Sequence, residues 1–388
     1  MVKRSPNRKT LASLAAELGV SPTTVSNAYN RPDQLSAATR ERILAAAAAH
    51  GYTGPDPAAR SLRTRHAGSI GVLLTEHLSY AFEDMASVDF LAGMAEASAG
   101  ADTTLTLIPA GPDTADSAAE AAALVSRTAV DGFVVYSVAA DDPYLEAARA
   151  RGLPVVVCDQ PTDTGLPFVG IDDRAAIRPA AQALVDAGHT RIGLLAIRLF
   201  HFRHDGPVTR TELERADMHV QRSRVLGALD VLEAHGLTDV PIVTRHLNTA
   251  ATAAEAAAEL LDNYPDLTAV LCTTDSMAIG VLAVARERGL EVPRDLSVTG
   301  FDGIQPALLR GLTTVVQPNR AKGAAAGHML AQLVDAQAAG EWPSSGSAAD
   351  LSGGASAARA SAPASAQPLL RLLPTTFEPG ATVAPPRR

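Results

Sequence analysis

From Ser69 onward the chain alternates short apolar runs with longer helical patterns, and this alternation constrains the fold more than any other feature. SIGVLLT, TLTLIPA, GFVVYSV, PVVVCDQP, RIGLLAI, TAVLCTTD and LSVTGFD are apolar, β-branched runs bounded by turn residues. Between them FLAGMAEASAGA, AAEAAALVSR, PYLEAARARG, RAAIRPAAQALVDAGH, SRVLGALDVLEAHG, AATAAEAAAELLDNY and SMAIGVLAVARERG read as helices. Runs that are apolar throughout suit strands buried on both faces. Strand–helix alternation of this kind predicts an α/β fold of parallel sheets covered by helices on both sides. Around ten strands are too many for one tidy sheet, so two doubly wound lobes are expected. Ligands of such sheets bind beyond the carboxyl ends of the strands. Two lobes facing each other form a cleft that closes by hinge motion.

Residues 1–54 follow a different grammar. Leu11, Leu14, Ala15 and Leu18 recur at i, i+3, i+4 and i+7, one apolar face of a helix. Gly19 follows at once and readily takes the left-handed conformation that ends a helix. Ser21 can cap a second helix, and Pro22 suits its first position, where the missing N–H has no partner to lose. Val25, Ala28 and Tyr29 share the inner face, while Thr23, Ser26, Asn27 and Asn30 lie on the others. Ser36 caps a third helix with Ile43, Leu44 and Ala47 inward and Gly51 at its end. Two helices joined by so short a glycine turn, closed by a third, predict a helix-turn-helix head whose second helix enters the major groove of DNA.

Charge agrees with that reading. Residues 1–66 hold ten Lys/Arg and four acids, a net +6; the whole chain is −9, so the remainder carries −15. A basic head on an acidic body is the asymmetry expected when only the head approaches phosphates. Pro55 then breaks the chain, Asp56 can cap and Pro57 can open a helix in AARSLRTR. Isolated helices below about 12–15 residues are marginal, so residues 55–67 are expected to be a linker that is helical only when packed.

At 388 residues, 47% of them hydrophobic, the chain has material for more than one domain. It contains no run of about 18 apolar residues, and MVKRSPNRKT leads into a capped polar helix rather than an apolar signal core. A cytoplasmic protein with no membrane partner is expected. Cys158 and Cys272 end apolar strands and are expected to be reduced core thiols. The sequence shows no metal-ligand spacing, G-x-S-x-G elbow, Walker loop or G-x-G-x-x-G. Neither metal nor cofactor is therefore expected, and the chain does not read as an enzyme. Residues 343–368, rich in Ala, Ser, Gly and Pro, are expected to be disordered. LLRLLPTTFEPG reads as one late strand, and the charged stretch 198–221 as a solvated loop near the cleft mouth.

LASLAAELGVSPTTVSNAYNRPDQLSAATRERILAAAAAHGY resembles the N-terminal domain of the lactose/galactose repressor (LacI/GalR) family of bacterial transcription regulators. GHTRIGLL, AVLCTTDSMAIGVLAVARERGLEVPRDLSVTGFDG and LTTVVQP resemble that family's effector domain, itself similar to periplasmic sugar-binding proteins. The resemblance covers most of the chain. It implies a helix-turn-helix domain at 1–54, a hinge helix at 55–67, and an effector-binding and dimerisation domain at 68–388. The N-lobe would be 68–170 plus about 318–345, and the C-lobe 171–317 plus about 346–388. Pro22, Thr23 and Asn27 would sit where the family reads bases, and Ser21, Thr24, Ser26 and Asn30 where it touches phosphates. Asn27 can pair bidentately with adenine, and Thr23 can meet a thymine methyl; the family often has arginine at the Asn27 position. Leu62 would be the hinge wedge that enters the minor groove, with Ala59 packing beside it.

For the cleft, the family pattern implies Arg224 of RVLG as anchor, a fixed fork suited to vicinal hydroxyls or a carboxylate. Asp302 of GFDG, Thr274 with Asp275, and Asp159 of CDQP would stand at three strand ends. Tyr80 and Phe82 follow the first strand, where aromatics can stack on a sugar ring. Asp275 is equally suited to cap the helix after it, and the two aromatics to a dimer face. The function implied is a ligand-responsive repressor: a homodimer on a pseudopalindromic operator, controlled by a sugar-like molecule between the lobes. The alternatives are a DNA-tethered enzyme and a constitutive DNA-binding protein whose lobes only dimerise.

Overall fold

The computed structural model describes residues 10–54, 66–74, 78–100, 103–109, 117–340 and 369–387. The linker residues Ala59 and Leu62 and the low-complexity segment 343–368 lie outside them. The chain divides into two units, Met1–Gly68 and Ser69–Arg388.

The described residues of the first unit form three α-helices and a short 3-10 turn, Pro32–Gln34. In α1 (Leu11–Leu18) the Thr10 hydroxyl accepts from Ser13 N at 3.2 Å, and the Ser13 hydroxyl from Thr10 N at 2.9 Å. This reciprocal cap satisfies two backbone donors that the first turn leaves without partners. Gly19, at φ 65°, ends α1. Ser21 Oγ accepts from Thr24 N at 3.0 Å to start α2 (Pro22–Asn30), and Ser36 Oγ accepts from Thr39 N at 3.2 Å to start α3 (Ala37–Ala49). Leu14, Ala15, Val25, Ala28, Ile43 and Ala47 form the buried core. Leu44 is only half-buried.

The second unit holds two sheets. The first contains β1 (Ser69–Leu74), β2 (Thr104–Pro109), β3 (Gly132–Tyr136), β4 (Val155–Cys158), β5 (Phe168–Gly170) and β12 (Leu370–Leu372). All its pairings are parallel, in the order β12-β5-β4-β3-β1-β2. The second contains β6 (Ile192–Ile197), β7 (Gly206–Pro207), β8 (Ile242–Arg245), β9 (Ala269–Cys272), β10 (Ser297–Asp302), β11 (Thr313–Val316) and β13 (Thr376–Glu378). Its order is β13-β11-β10-β9-β6-β8-β7, and only the edge strands β13 and β7 are antiparallel. In each sheet the chain winds one way from the first strand and then the other, so strand order reverses beside β1 and β3 in one lobe and β6 and β9 in the other. Clefts form beyond the strand ends at such reversals.

The helices that follow β5, α4 (Asp173–Ala176) and α5 (Arg178–Asp186), pack into the second lobe through Ala176, Ile177, Ala180 and Leu184. After β11 the chain returns as α6 (Asn319–Ala338), which packs on the first sheet through Ala325, Ala326, Met329 and Leu330. The third passage corrects an expectation. Residues 346–388 were assigned wholly to the second lobe, yet Leu370–Leu372 pairs with Phe168–Gly170 in the first sheet. LLRLLPTTFEPG is two short strands in different sheets, and Pro374 stands between them, where its lack of an N–H would break a continuing ladder. Residues 198–221 are likewise no solvated loop. They contain β7, the helix Arg210–Glu214 and the start of α7 (His219–Ala234). Leu199, Phe200, Val208, Leu213 and Ala216 reach the second lobe's core, and Arg198 is buried as well, its guanidinium donating to His246 O at 3.0–3.1 Å.

Helix pairs approach closely at glycines. A Cβ on Gly323 of α6 would overlap the Phe90 carbonyl oxygen of the facing helix Met85–Ser98, and one on Gly93 would overlap Arg320 O. Gly323→Ala should therefore force that pair apart and lower stability by about 1–3 kcal/mol, read as a lower urea midpoint for the second unit.

Candidate functional site

A cavity of about 110 Å³ lies between the two sheets. It collects residues from the carboxyl ends of both: Tyr136 at the end of β3 and Ser137 after it, Asp159 and Gln160 after β4, Arg198 after β6, Thr274 after β9, Asp302 at the end of β10 and Gln317 after β11. Ser137, Asp159, Arg198 and Asp302 are the four non-glycine residues with positive φ among the described residues (58°, 69°, 36° and 124°), and all four line this cavity. That conformation is costly for residues with a Cβ and concentrates where a structure needs a side chain aimed unusually.

A continuous chain of buried charged and amide groups runs along the wall. Arg224, on α7, donates through Nε to Asp173 Oδ1 at 2.8 Å, and through Nη1 to Thr273 O at 2.9 Å and Asp302 Oδ1 at 3.3 Å. Its guanidinium lies 3.8 Å from the Phe301 ring centroid, a stacked cation–π contact. Nη2 makes no hydrogen bond among the described residues. Gln317 Nε2 donates to the same Asp302 oxygen at 2.6 Å. Lys322 Nζ donates to Gln317 Oε1 at 2.8 Å and to the two oxygens of Asp159 at 2.9 and 2.7 Å. Thus all three ammonium hydrogens of a fully buried lysine are satisfied. The chain passes from Asp173 and Arg224 in the second lobe to Lys322 and Asp159 in the first.

A second bridge joins the lobes. Gln160 Oε1 accepts from Val220 N of α7 at 2.9 Å, while its Nε2 donates to Ser137 Oγ at 3.2 Å. Asn248 Oδ1, also on the cavity wall, is buried with no hydrogen-bond partner among the described residues.

Burial governs the acids here. It pushes Asp302 up to about 8, against the pull of Arg224 and helped by the nearby Asp275 and Asp84. Burial raises Asp173 too, with Arg224 opposing. It also raises Asp84, whose carboxylate caps the helix Met85–Ser98 through Ser87 N at 3.0 Å.

Of the cleft residues expected from sequence, Arg224, Asp302, Asp159 and Thr274 line one cavity. Asp275 does not. It is fully buried, accepting from Ile304 N at 2.9 Å and Thr314 Oγ1 at 2.6 Å. It ties the helix Asp275–Glu287 to neighbouring elements, and burial pushes it up to about 6. The cap of that helix is Thr274, whose Oγ1 accepts from Met277 N at 3.3 Å. Phe82 is 59% exposed and does not line the cavity; the side chain of Tyr80 is outside the description. Lys322, Gln317, Gln160 and Asn248 were missed. One signal was available for the first: the chain has three lysines, at positions 3, 9 and 322, and uses arginine everywhere else.

In the head, Ser21, Pro22 and Thr23 are exposed, and Thr24, Ser26 and Asn27 half-buried; the Asn30 side chain is not described. Ser21 and Thr24 bond to each other within the cap, Oγ to Oγ1 at 2.8 Å. Asn27 Nδ2 donates to Gln34 Oε1 at 3.1 Å. No helix among the described residues is long and apolar enough to cross a membrane.

The chain matches two family models: "Bacterial regulatory proteins, lacI family" over residues 10–54 and "Periplasmic binding proteins and sugar binding domain of LacI family" over residues 67–346. It is 57% identical to the HTH-type transcriptional regulator IpsA of Corynebacterium glutamicum, over 84% of this chain and 91% of that one. A crystal structure of a LacI-family transcriptional regulator from Corynebacterium glutamicum aligns with a TM-score of 0.71 at 48% identity, covering 98% of this chain and all of that one. A complex of the transcriptional regulator CelR with cellobiose aligns with a TM-score of 0.64 at 25% identity, covering 97% and 100%.

Two measurements bear on the buried charges. Lys322→Met leaves Asp159 as an uncompensated buried charge and should cost about 3–5 kcal/mol in urea unfolding, while the pair Lys322→Met with Asp159→Asn should regain most of it. For Asp302, a folded pKa raised to about 8 from 3.8 means that the folded state keeps a proton the unfolded state loses. The stabilisation is full below the unfolded value and is lost as pH rises through the folded one. Asp302→Asn, neutral throughout, should therefore gain melting temperature relative to the unsubstituted protein between pH 5 and pH 8.5.

Proposed function

The chain belongs to the LacI family of DNA-binding transcriptional regulators, with the family's periplasmic-binding-protein-like sugar-binding domain, and on that premise we propose that it is a ligand-responsive repressor. It binds a pseudopalindromic operator as a homodimer in the cytoplasm, and a small polyhydroxylated molecule in the inter-lobe cleft controls it. The observation that carries this reading is the buried chain from Asp173 to Asp159, which crosses between lobes at a cavity bounded by strained strand ends.

The cavity wall offers both halves of a hydroxyl's chemistry. Among the described residues Arg224 Nη2 is a donor without a partner and Asn248 Oδ1 a buried acceptor without one, while burial raises Asp302 so that its carboxyl can donate as well as accept. Neighbouring hydroxyls on a sugar ring both donate and accept, so they suit such a wall. Asp159 and Asp173 are each held by a cation, an arrangement that serves binding and orientation rather than nucleophilic attack. Control of DNA binding requires that the effector favour one lobe arrangement over the other; a coupling of about 1–3 kcal/mol changes operator affinity about 5–150-fold. Residues 55–67, by this reading, carry the change of lobe angle to the head.

A melting-shift screen with pentoses, hexoses, cellobiose and linear polyols, run on the protein and on Arg224→Ala, tests the cleft assignment. A ligand at about 100 times its dissociation constant adds about 2.7 kcal/mol, a shift of several degrees. Arg224→Ala should abolish it, and an undiminished shift in that variant removes Arg224 from the site. A ligand that shifts melting but leaves retention on selected operator DNA unchanged would sink effector control.

A further inference from the structure

We propose that Gln34 is a specificity-determining residue of the DNA-reading head, holding the Asn27 carboxamide in the orientation that meets a purine edge. The proposal rests on the DNA-binding reading above and deepens it. Thr23 and Asn27 are four residues apart on α2 and so share one face of that helix. Gln34 is not on α2. It ends a short 3-10 turn, Pro32–Gln34, in which Gln34 N donates to Arg31 O at 3.0 Å and Leu35 N to Pro32 O at 3.2 Å. Leu35, next in the chain, packs against the head's core. A proline, two backbone bonds and an apolar anchor therefore fix where Gln34 stands, and its Oε1 accepts from Asn27 Nδ2 at 3.1 Å.

An asparagine on a helix surface rotates between two orientations that exchange its donor and its acceptor. Base readout depends on which group is where. Adenine offers the N7 acceptor and the N6 donor in the major groove, and asparagine pairs with both through one amide hydrogen and Oδ1. A primary amide has two hydrogens. The bond to Gln34 uses one and leaves the other, with Oδ1, for the base. Turning the Asn27 carboxamide over sets Oδ1 against Gln34 Oε1, so the two amides pair only in complementary orientations and must turn together. The Asn27 rotor is thus coupled to that of Gln34 before DNA arrives, and part of its ordering cost is not charged to binding. Gln34 acts through Asn27 and is a positioning residue.

In vitro selection from a random-sequence duplex library, with the full-length protein, tests this. Asn27→Ala should erase a base preference on the order of tenfold at one base pair of each half-site. Gln34→Ala should weaken the preference at that same base pair at least about threefold and leave the other positions alone. Gln34→Glu keeps an acceptor facing Nδ2, so the preference should return while its charge weakens binding to all sequences alike. Gln34→Lys, a donor only, should draw Oδ1 instead and fail to restore it. An unchanged preference in Gln34→Ala overturns the proposal, and so does a loss at a base pair other than that of Asn27, which would make Gln34 a base reader itself. A wild-type protein that enriches no motif overturns the DNA-binding reading along with it.

Discussion

The second unit depends on keeping six polar side chains satisfied out of water. Each buried ion costs several kcal/mol in lost hydration, and an exposed ion pair returns little. Asp173, Arg224, Asp302, Gln317, Lys322 and Asp159 meet this jointly. Lys322 finds three acceptors, Arg224 grips Asp173 while reaching Asp302, and Gln317 donates one way and accepts the other. Gln317 decides the polarity of the whole chain. Because its Oε1 faces an ammonium, its Nε2 must face Asp302, and it donates to Oδ1. The residue at position 322 also has a reason to be lysine. Its three acceptors surround one point, the geometry of an ammonium, whereas a planar guanidinium suits the side-on pair that Arg224 makes.

Parallel sheets make such a cluster possible. Every parallel strand of a doubly wound lobe delivers its carboxyl end to the same edge, so groups far apart in sequence arrive together: Asp302 ends a strand, and Asp159 and Gln317 directly follow one. Within the first lobe, α6 must then lie close enough to the sheet for Lys322 to reach back to Asp159. Glycines on the helix faces allow such close packing within each lobe. Gly323, next to Lys322, lets α6 lie against the carbonyl of Phe90, and Gly227, three residues beyond Arg224, lets α7 lie against the carbonyl of Arg174. The helix contacts that anchor the two cations are therefore as close as backbone allows, consistent with a composition that favours alanine and glycine over bulk.

What the sequence shows is what depends on local chemistry. The head was legible almost to the residue because its signals are short-range: an apolar period, a Ser-Pro cap, and a left-handed glycine at position 19. The lobes were legible from alternation alone. The cleft was half legible. Asp159, Thr274 and Asp302 stand at strand ends that the apolar runs announce, and Arg224 follows from the resemblance. Asp275 was misplaced because adjacent residues at a strand end point opposite ways; Thr274 faces the cavity and Asp275 turns into the lobe to hold Thr314 and the Ile304 backbone. Lys322 and Gln160 carry no motif. Their partners lie 163 and 60 residues away in sequence, a relation that periodicity cannot express. The stretch 198–221 misled for a related reason: its charges dominate composition, while five scattered apolar residues decide that it packs.

The position of the network relative to the crossings gives it a mechanical meaning. The chain passes between lobes just before Asp173, and again between β11 and α6, the passage that carries Gln317 and then Lys322. Two of the three crossings thus lead straight into the polar chain, so a change of lobe angle turns the very backbone that carries its members. Hydrogen bonds at 2.6–2.9 Å tolerate little of that before they break, and a broken link leaves a buried group unpaired. Packed interfaces of this kind behave as two-state elements rather than springs. On the function proposed above, a ligand that supplies a donor to Asn248 and an acceptor to Arg224 would interact differently with the made and the re-made network, and differential interaction of that sort is the thermodynamic condition for a switch.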